Sequence, residues 1–236
     1  HYRASATTTF LSTPHSVAAC GVVCVTQDTS GLVVHAATGS VLLCGSEGAA
    51  HVAVGGTGAP LVAAVVQTYT PTAFGAFVIW SAATGLVMNE MQLPAPVVRL
   101  AVSSPGAVAQ MATTIAALPI TGPHQVLPCV ATAVAVDDAT TTAVWSTQTS
   151  ICAAPISNIS AHYTILGGAV RNATALAVSG TSAIVVARPA GVCIATTAPC
   201  GAVLAPLKGI ENVAVGNVVA AVCAKGLVVL SLTGTV

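Results

Sequence analysis

Short runs of alternating apolar and polar residues, separated by turn-forming residues, recur along the whole chain. In "FVIWSAATGLVMNEMQLP" (77–94), an apolar run ends at Trp80, a Thr84-Gly85 turn follows, and a second alternating run begins. Val, Ile and Thr favour strands because their side chains are stiff at χ1. Gly and Pro recur about every ten residues, which is too often for helices to persist. The pattern predicts an all-β chain.

The runs form six similar units, each read as strand, turn, strand, turn, strand. In the first unit, residues 21–44, the turns fall at Asp28–Gly31 and at Thr38-Gly39. The other five units cover residues 61–93, 97–127, 131–156, 173–207 and 210–234. Units therefore begin about every 30 to 40 residues, close to the period of a β-propeller blade.

A single meander of this size can bury only one of its faces. Stacking the units radially gives every face a neighbour, and closing the ring protects the strand edges. A β-sandwich, the structural alternative, would have about seven strands in about a hundred residues and no such period. We therefore predict that residues 1–236 form a single all-β domain, a β-propeller. It has six visible blades, each a four-stranded antiparallel meander, and we expect a seventh.

Composition sets this chain apart from ordinary soluble domains, which are about 25% charged. Here 55% of residues are hydrophobic and 5% are charged, with six basic and six acidic residues. No run approaches the roughly 20 apolar residues of a membrane-spanning helix. Ala, about one residue in five, often occupies strand positions that should face water, as in 132–145 and 218–230. We expect many of these Ala to be exposed, at positions suited to longer polar side chains, so neutrality excludes neither acidic nor basic partners.

The cysteines and histidines do not have the spacing of a metal site. The eight Cys are scattered, and Cys20 and Cys24 are predicted to lie on one strand with their side chains on the same face. Zinc sites need closely spaced pairs of ligands. We therefore expect buried, reduced thiols in a cytosolic protein, with no metal and no cofactor.

Catalytic motifs are equally scarce. The stretch Gly55–Gly58 lacks the strand-to-helix context and the Lys of a phosphate loop, and no G-x-S-x-G elbow occurs. Asp137 and Asp138 are adjacent, so along a strand they point to opposite faces. Trp80 and Trp145 end strands at similar places in their units, where core packing is expected. We predict that the chain is not an enzyme.

One part of the chain resembles a known family in residue identities as well as in its hydrophobic pattern. Residues 61–127 are similar in order and spacing to the second and third blades of PROPPINs, the seven-bladed WD40-like phosphoinositide binders of autophagy. Identities include Ile79-Trp80, Arg99-Leu100 and Pro123-His124-Gln125. Residues 17–39 also resemble the first blade of that family.

The resemblance implies a set of phosphoinositide-binding residues. PROPPINs carry an L/F-R-R-G motif after blade five, in which each Arg serves one head-group site. Here the matching stretch is Leu207, Lys208 and Gly209, with one basic residue where two are expected. A single Lys supports at most one such site. By the same resemblance, Lys225 lies near the second site and Arg188 at the corresponding turn of blade five.

The function implied by the resemblance is non-enzymatic. The chain would dock edge-on on anionic membranes by binding phosphatidylinositol 3-phosphate and 3,5-bisphosphate, and would recruit proteins of the autophagy or membrane-trafficking machinery. It would be cytoplasmic and peripheral on endosomal, vacuolar or pre-autophagosomal membranes, and no nucleic acid is expected. The alternative is a WD40-type protein-interaction scaffold without lipid binding.

Overall fold

The computed structural model describes most of the chain as strands joined by short turns. The described residues are 16–20, 23–28, 30–56, 58–66, 74–137, 140–167, 173–179, 183–188, 191–195, 203–205, 210–215, 218–223 and 226–231. They contain 23 strands and one short 3₁₀ helix, Ile159–Ala161. No helix in this part of the chain has the length and hydrophobicity that crossing a membrane requires.

The strands form six antiparallel sheets, and in each sheet the strands are paired in chain order. The first sheet contains β1 (Ser16–Cys20), β2 (Val23–Asp28), β3 (Gly31–Ala36) and β4 (Gly39–Leu42). The second contains β5 (Ala49–Gly55), β6 (Leu61–Val66), β7 (Ala76–Ser81) and β8 (Val87–Gln92). The third contains β9 (Val97–Ser103), β10 (Gly106–Met111), β11 (Thr114–Pro119) and β12 (Gln125–Pro128).

The last three sheets continue the same meander. The fourth contains β13 (Ala133–Asp137), β14 (Thr142–Ser146), β15 (Ser150–Pro155) and β16 (Tyr163–Gly167). The fifth contains β17 (Ala175–Ser179), β18 (Ala183–Arg188), β19 (Gly191–Ala195) and β20 (Val203–Ala205). The sixth has three described strands, β21 (Ile210–Val215), β22 (Val218–Cys223) and β23 (Gly226–Ser231).

The first strands of successive sheets pack side by side: β1 on β5, β5 on β9, β9 on β13, β13 on β17, and β17 on β21. The approach is close where β5 ends, because a Cβ on Gly55 would come within 2.2 Å of the Val102 carbonyl oxygen of β9. First strands on the inside and meanders radiating outward are the arrangement of a β-propeller, which confirms the predicted fold class. The seventh blade stays a prediction.

The six predicted units correspond to the six sheets, but three strands lie outside the predicted units. These are β1, β5 and β16. In β5 the register with β6 shifts between Ala50 and Ala53, and His51 has a φ of +51°. This irregularity breaks the two-residue period by which strands are recognised. Cys20 and Cys24 were predicted to share one strand because only two residues separate β1 from β2. In the structure they lie on these two paired strands.

The expectation that many Ala are exposed is wrong for the described Ala of residues 132–145 and 218–230, none of which is exposed. Ala133, Ala135 and Ala143 are buried, as is Ala221 in the second stretch. Every inner sheet of a propeller has a neighbouring sheet on both faces, so a strand that alternates Val with Ala has no face for water. Alanine is short enough to let two sheets pack closely at such positions.

Both tryptophans pack in the core, as predicted, although their places in the sheets differ. Trp80 lies on the third strand of its sheet and Trp145 on the second strand of another, and both are at most 1% exposed. The Trp80 indole Nε1 donates a hydrogen bond of 2.9 Å to the Cys44 carbonyl oxygen. The Trp80 side chain therefore links the second sheet to the connection that follows β4 of the first sheet.

The described thiols differ in their burial, so the expectation of buried thiols holds only in part. Cys152 and Cys223 are buried, Cys24 and Cys129 are half-buried, and Cys44 is exposed. Burial raises the pKa of the Cys129 thiol, and the neighbouring Cys152 raises it further, against a hydrogen bond from Trp145. Cys129 is therefore a protonated thiol at neutral pH.

Candidate functional site

One end of the propeller gathers two kinds of connection, and we call it the start face. Strand direction alternates in each meander, so the turn between the second and third strands lies where the first strand begins. In the first sheet, the Leu43 amide donates to the Leu32 carbonyl at 2.9 Å. The Leu32 amide donates to the Ser46 hydroxyl at 2.8 Å. The connection to the next sheet is thus bonded to the turn between β2 and β3.

The same contact recurs in the next two sheets. The Leu93 amide donates to the Gly75 carbonyl at 2.9 Å, and the Cys129 amide donates to the Thr113 carbonyl at 2.9 Å. At the start of the fourth sheet, the Thr132 amide donates to the Ser146 carbonyl at 2.8 Å, which extends the pairing of β13 with β14. In each of the first three sheets, the start face therefore holds the outgoing connection against the turn between the second and third strands.

Of the predicted phosphoinositide-binding residues, Arg188 has a described backbone position. It is the last residue of β18 and is paired with Gly191, the first residue of β19. Gly191 has a φ of +148°, a conformation that favours glycine and lets the two strands reverse within two residues. Arg188 therefore begins a hairpin turn on the start face. Lys208, Gly209 and Lys225 lie outside the described residues.

The described neighbours of those three residues lie at the same end of their sheets. Ala205, on the N-terminal side of Lys208, is paired with Val192, next to the β18–β19 turn. On the C-terminal side, Ile210 is paired with Cys223, and Cys223 is paired with Gly226 across the β22–β23 turn. The strand ends that flank Lys208 and Lys225 therefore belong to the start face, as does Arg188.

Arg99 is a basic residue of this face that the sequence analysis did not assign to a site. It is the third residue of β9, half-buried, and paired with Gln110 of β10. From sequence, Arg99-Leu100 is noted only as an identity with the family. Its position near the start of an innermost strand, beside the central axis, depends on the tertiary structure.

Large apolar side chains are also exposed on the start face. Four such residues, each more than half exposed, lie in the second, third and sixth sheets or their connections: Phe74, Val98, Val130 and Leu227. Phe74 precedes β7, Val98 is the second residue of β9, Val130 lies between β12 and β13, and Leu227 is the second residue of β23. The hydrophobic pattern alone does not single them out, because an apolar residue within a strand is expected to lie in the core.

The opposite end of the propeller carries a buried carboxylate with a structural role. Asp137, the last residue of β13, is 3% exposed. One of its carboxylate oxygens accepts a hydrogen bond of 3.2 Å from the Thr140 amide and another from the Thr140 hydroxyl. This arrangement closes the turn between β13 and β14. Over the described ranges, no three His, Cys, Asp or Glu side chains are grouped as a metal site.

Comparison with known proteins gives the fold and no closer relationship. No family model matches the chain, and no curated protein matches it in sequence. Among solved structures, Hsv2 of Kluyveromyces marxianus, a PROPPIN, is similar with a TM-score of 0.63 and 11% identity. The match covers 89% of this chain and 69% of Hsv2.

Two further solved structures are similar to this chain in fold. The Neurospora crassa Pan2 WD40 domain has a TM-score of 0.56 and 13% identity, covering 92% of this chain and 74% of that one. A chain of a nidogen/laminin complex has a TM-score of 0.55 and 11% identity, covering 90% of both chains. The predicted likeness to PROPPINs and WD40 propellers is therefore confirmed as a likeness of fold.

Proposed function

We propose that this propeller is a non-enzymatic scaffold that docks on anionic membranes through its start face. The observation that carries the proposal is the coincidence of two features at one end of the molecule. Four exposed apolar side chains lie there, together with Arg188, Arg99 and the strand ends that flank Lys208 and Lys225. The sequence resemblance implies docking through the edge of the propeller. We propose instead that the start face contacts the membrane.

The two features support membrane binding for complementary reasons. Each basic residue near an anionic surface contributes about 1 kcal/mol, and this attraction weakens with added salt. Apolar side chains such as Phe74 and Leu227 lose water when they enter the interfacial region, and this contribution is insensitive to salt. A face with both would bind more strongly than either alone.

The proposed ligands are phosphatidylinositol 3-phosphate and 3,5-bisphosphate. Lys208 and Lys225 would act as point charges on phosphate oxygens, and the Arg188 guanidinium would donate two parallel hydrogen bonds. Gly209 would let the backbone approach the head group closely. Docked in this way on endosomal, vacuolar or pre-autophagosomal membranes, the propeller would recruit proteins of the autophagy machinery.

Vesicle co-sedimentation tests the proposal. Vesicles of phosphatidylcholine and phosphatidylserine, with and without each phosphoinositide, are mixed with wild-type protein and with the variants Lys208→Ala, Arg188→Ala and Phe74→Ser. We expect the phosphoinositides to raise the pelleted fraction, the Lys208→Ala and Arg188→Ala variants to lose that increase, and Phe74→Ser to weaken binding to all vesicles. Leu86→Ser, an exposed apolar change away from the start face, is the matched control and should pellet like the wild type.

The second candidate is a WD40-type scaffold that binds proteins and no lipid. The likeness of fold to the Pan2 WD40 domain favours it. If no vesicle composition pellets the wild-type protein, membrane docking is wrong and this second candidate stands.

A further inference from the structure

One side of the propeller ring is open among the strands that the structure describes. First strands pack on one another in order from β1 to β21, and no packing of this kind joins β21 back to β1. The sixth sheet packs against the fifth through one face, and the first sheet packs against the second through one face. The other face of the sixth sheet carries Leu227 and Val229, and we call it the open face.

The open face is built like a face that another sheet covers. The second strands β6, with sequence LVAAVV, and β22, with sequence VVAAVC, are alike. Leu227 and Val229 are the second and fourth residues of β23, and they pair with the fifth and third residues of β22. Phe77 and Ile79 have the same places on β7 and pair with the same places on β6. Leu227 and Val229 therefore correspond to Phe77 and Ile79.

The two pairs of residues differ in whether a sheet lies over them. Phe77 and Ile79 are 0% exposed, because they pack in one cluster with residues of the third sheet. Leu227 is 65% exposed and Val229 is 47% exposed. Exposed apolar residues that are grouped on one surface mark sites of interaction. Since a β-sheet covers the corresponding positions of the second sheet, a β-sheet is the occupant that fits the open face.

The first sheet supplies the opposite wall of the open side. Cys24, Val33 and His35 lie on the face that points away from the second sheet, and all three are half-buried. The alternate residues of β2 and β3 pack against the second sheet. The His35 ring forms hydrogen bonds of 2.9 Å with the hydroxyls of Thr26 and Ser40. A sheet can cover this wall without leaving the imidazole unsatisfied.

We propose that the open side binds an antiparallel β-meander of a partner protein, which sits between the sixth and first sheets as a further blade. The described residues of the open face are uncharged, so apolar sheet-on-sheet packing holds the partner. The inference does not depend on membrane docking. A bound sheet covers Leu227, and three apolar side chains of the start face stay free: Phe74, Val98 and Val130.

The test uses two fluorescent peptides as probes. The first copies residues 49–92 of this chain, which form the second sheet and pack against a neighbouring sheet on each face. The second has the same composition in scrambled order. Binding to the wild-type protein is measured by fluorescence anisotropy. The ordered peptide should bind about tenfold more tightly than the scrambled one, because alternation along its strands gives it two apolar faces.

A matched pair of variants shows whether the peptide lies on the open face. Val229→Lys should weaken binding of the ordered peptide about tenfold, because a charged group is then buried in the contact. Val126→Lys, on β12 of the third sheet, has a similar exposure of 41% and should bind like wild type. Thermal unfolding verifies that both variants are folded. Because Val229 is not among the residues assigned to membrane docking, failure here is distinct from failure of the proposed function.

Cysteine labelling reports on the opposite wall. A peptide seated between the two sheets should slow the alkylation of the half-buried Cys24 several-fold. Alkylation of Cys44, which is exposed on the connection between the first and second sheets, should be unchanged.

Three results would overturn the inference: equal binding of the two peptides, equal binding by Val229→Lys and Val126→Lys, or unchanged alkylation of Cys24. Sedimentation velocity gives a fourth. A wild-type dimer that Val229→Lys converts to a monomer would mean that a second copy of the chain, and not a partner protein, covers the open face.

Discussion

Single amide side chains join neighbouring sheets at equivalent positions. Gln110, fifth of the six residues of β10, donates from Nε2 to the Ala131 carbonyl at 2.8 Å, near the start of the fourth sheet. Gln27, fifth of the six residues of β2, donates from Nε2 to the Ala49 carbonyl at the start of the second sheet. Each Gln therefore joins a second strand to the chain at, or two residues before, the first strand of the next sheet. No such pairing is readable from sequence, since the partners are 21 and 22 residues away.

At the same scale, the described cysteines should differ in reactivity. Cys44 is exposed, whereas the half-buried Cys129 has a raised pKa and so less of the reactive thiolate at a given pH. Iodoacetamide at pH 8, followed by peptide mapping by mass spectrometry, should show Cys44 alkylated well before Cys129. Because burial and Cys152 raise the pKa of the Cys129 thiol, its alkylation rate should continue to rise with pH above the ordinary pKa of a thiol. Equal rates would contradict the environment described for Cys129.

Between elements, outer strands are joined to the third-to-fourth-strand loop of the following sheet. The Asn89 side chain of β8 donates from Nδ2 to the Pro119 carbonyl at 2.7 Å. The Gln125 side chain of β12 accepts from the Ile159 amide at 3.0 Å and donates to the Ser157 carbonyl. Gln125 belongs to the Pro123-His124-Gln125 identity noted in sequence, and its observed role is to hold the fourth sheet against the third.

This inter-sheet bond gives a stability prediction. Asn89→Leu removes the bond to Pro119 and should lower the free energy of unfolding by about 1 kcal/mol, the usual net value of a hydrogen bond. Urea unfolding measures the change. Gln92→Leu, at an exposed position on the same strand, is the matched control and should stay within about 0.5 kcal/mol of wild type. Two variants of equal stability would show that the Asn89 bond contributes nothing.

At the scale of the whole molecule, the unusual composition follows from the stacking of sheets. In a sheet with a neighbour on each face, the inner strands need mostly apolar residues on both faces, and small ones where the sheets come close. Ala63, Ala107, Ala109 and Ala133 are all 0% exposed. A chain with 5% charged residues is therefore consistent with a folded propeller.

Two alanines distinguish buried from exposed positions directly. Ala133 is fully buried between sheets, whereas Ala83 is exposed in the turn between β7 and β8. Ala133→Gln should lower the free energy of unfolding by at least about 2 kcal/mol, because a larger polar group is forced into a packed interior. Ala83→Gln should have almost no effect. Thermal unfolding of both variants provides the measurement, and tolerance of Gln at position 133 would revive the exposed-alanine expectation.

The sequence by itself determined the fold class and the repeat of six units, although three units were each predicted one strand too short. Alternation with a period of two and turn residues every ten positions act locally, so they can be read without knowing which strands meet. Irregular strands such as β5, with its register shift beside His51, escaped because the shift breaks that local period.

Only the tertiary structure decided which residues share a surface. Arg188 and Arg99 lie 89 positions apart in sequence, yet both belong to the start face because strand direction alternates within every meander. Exposure was decided in the same way. Ala133 is buried and Leu86 is exposed, although both residues are apolar. The difference arises because burial depends on whether a neighbouring sheet covers the position.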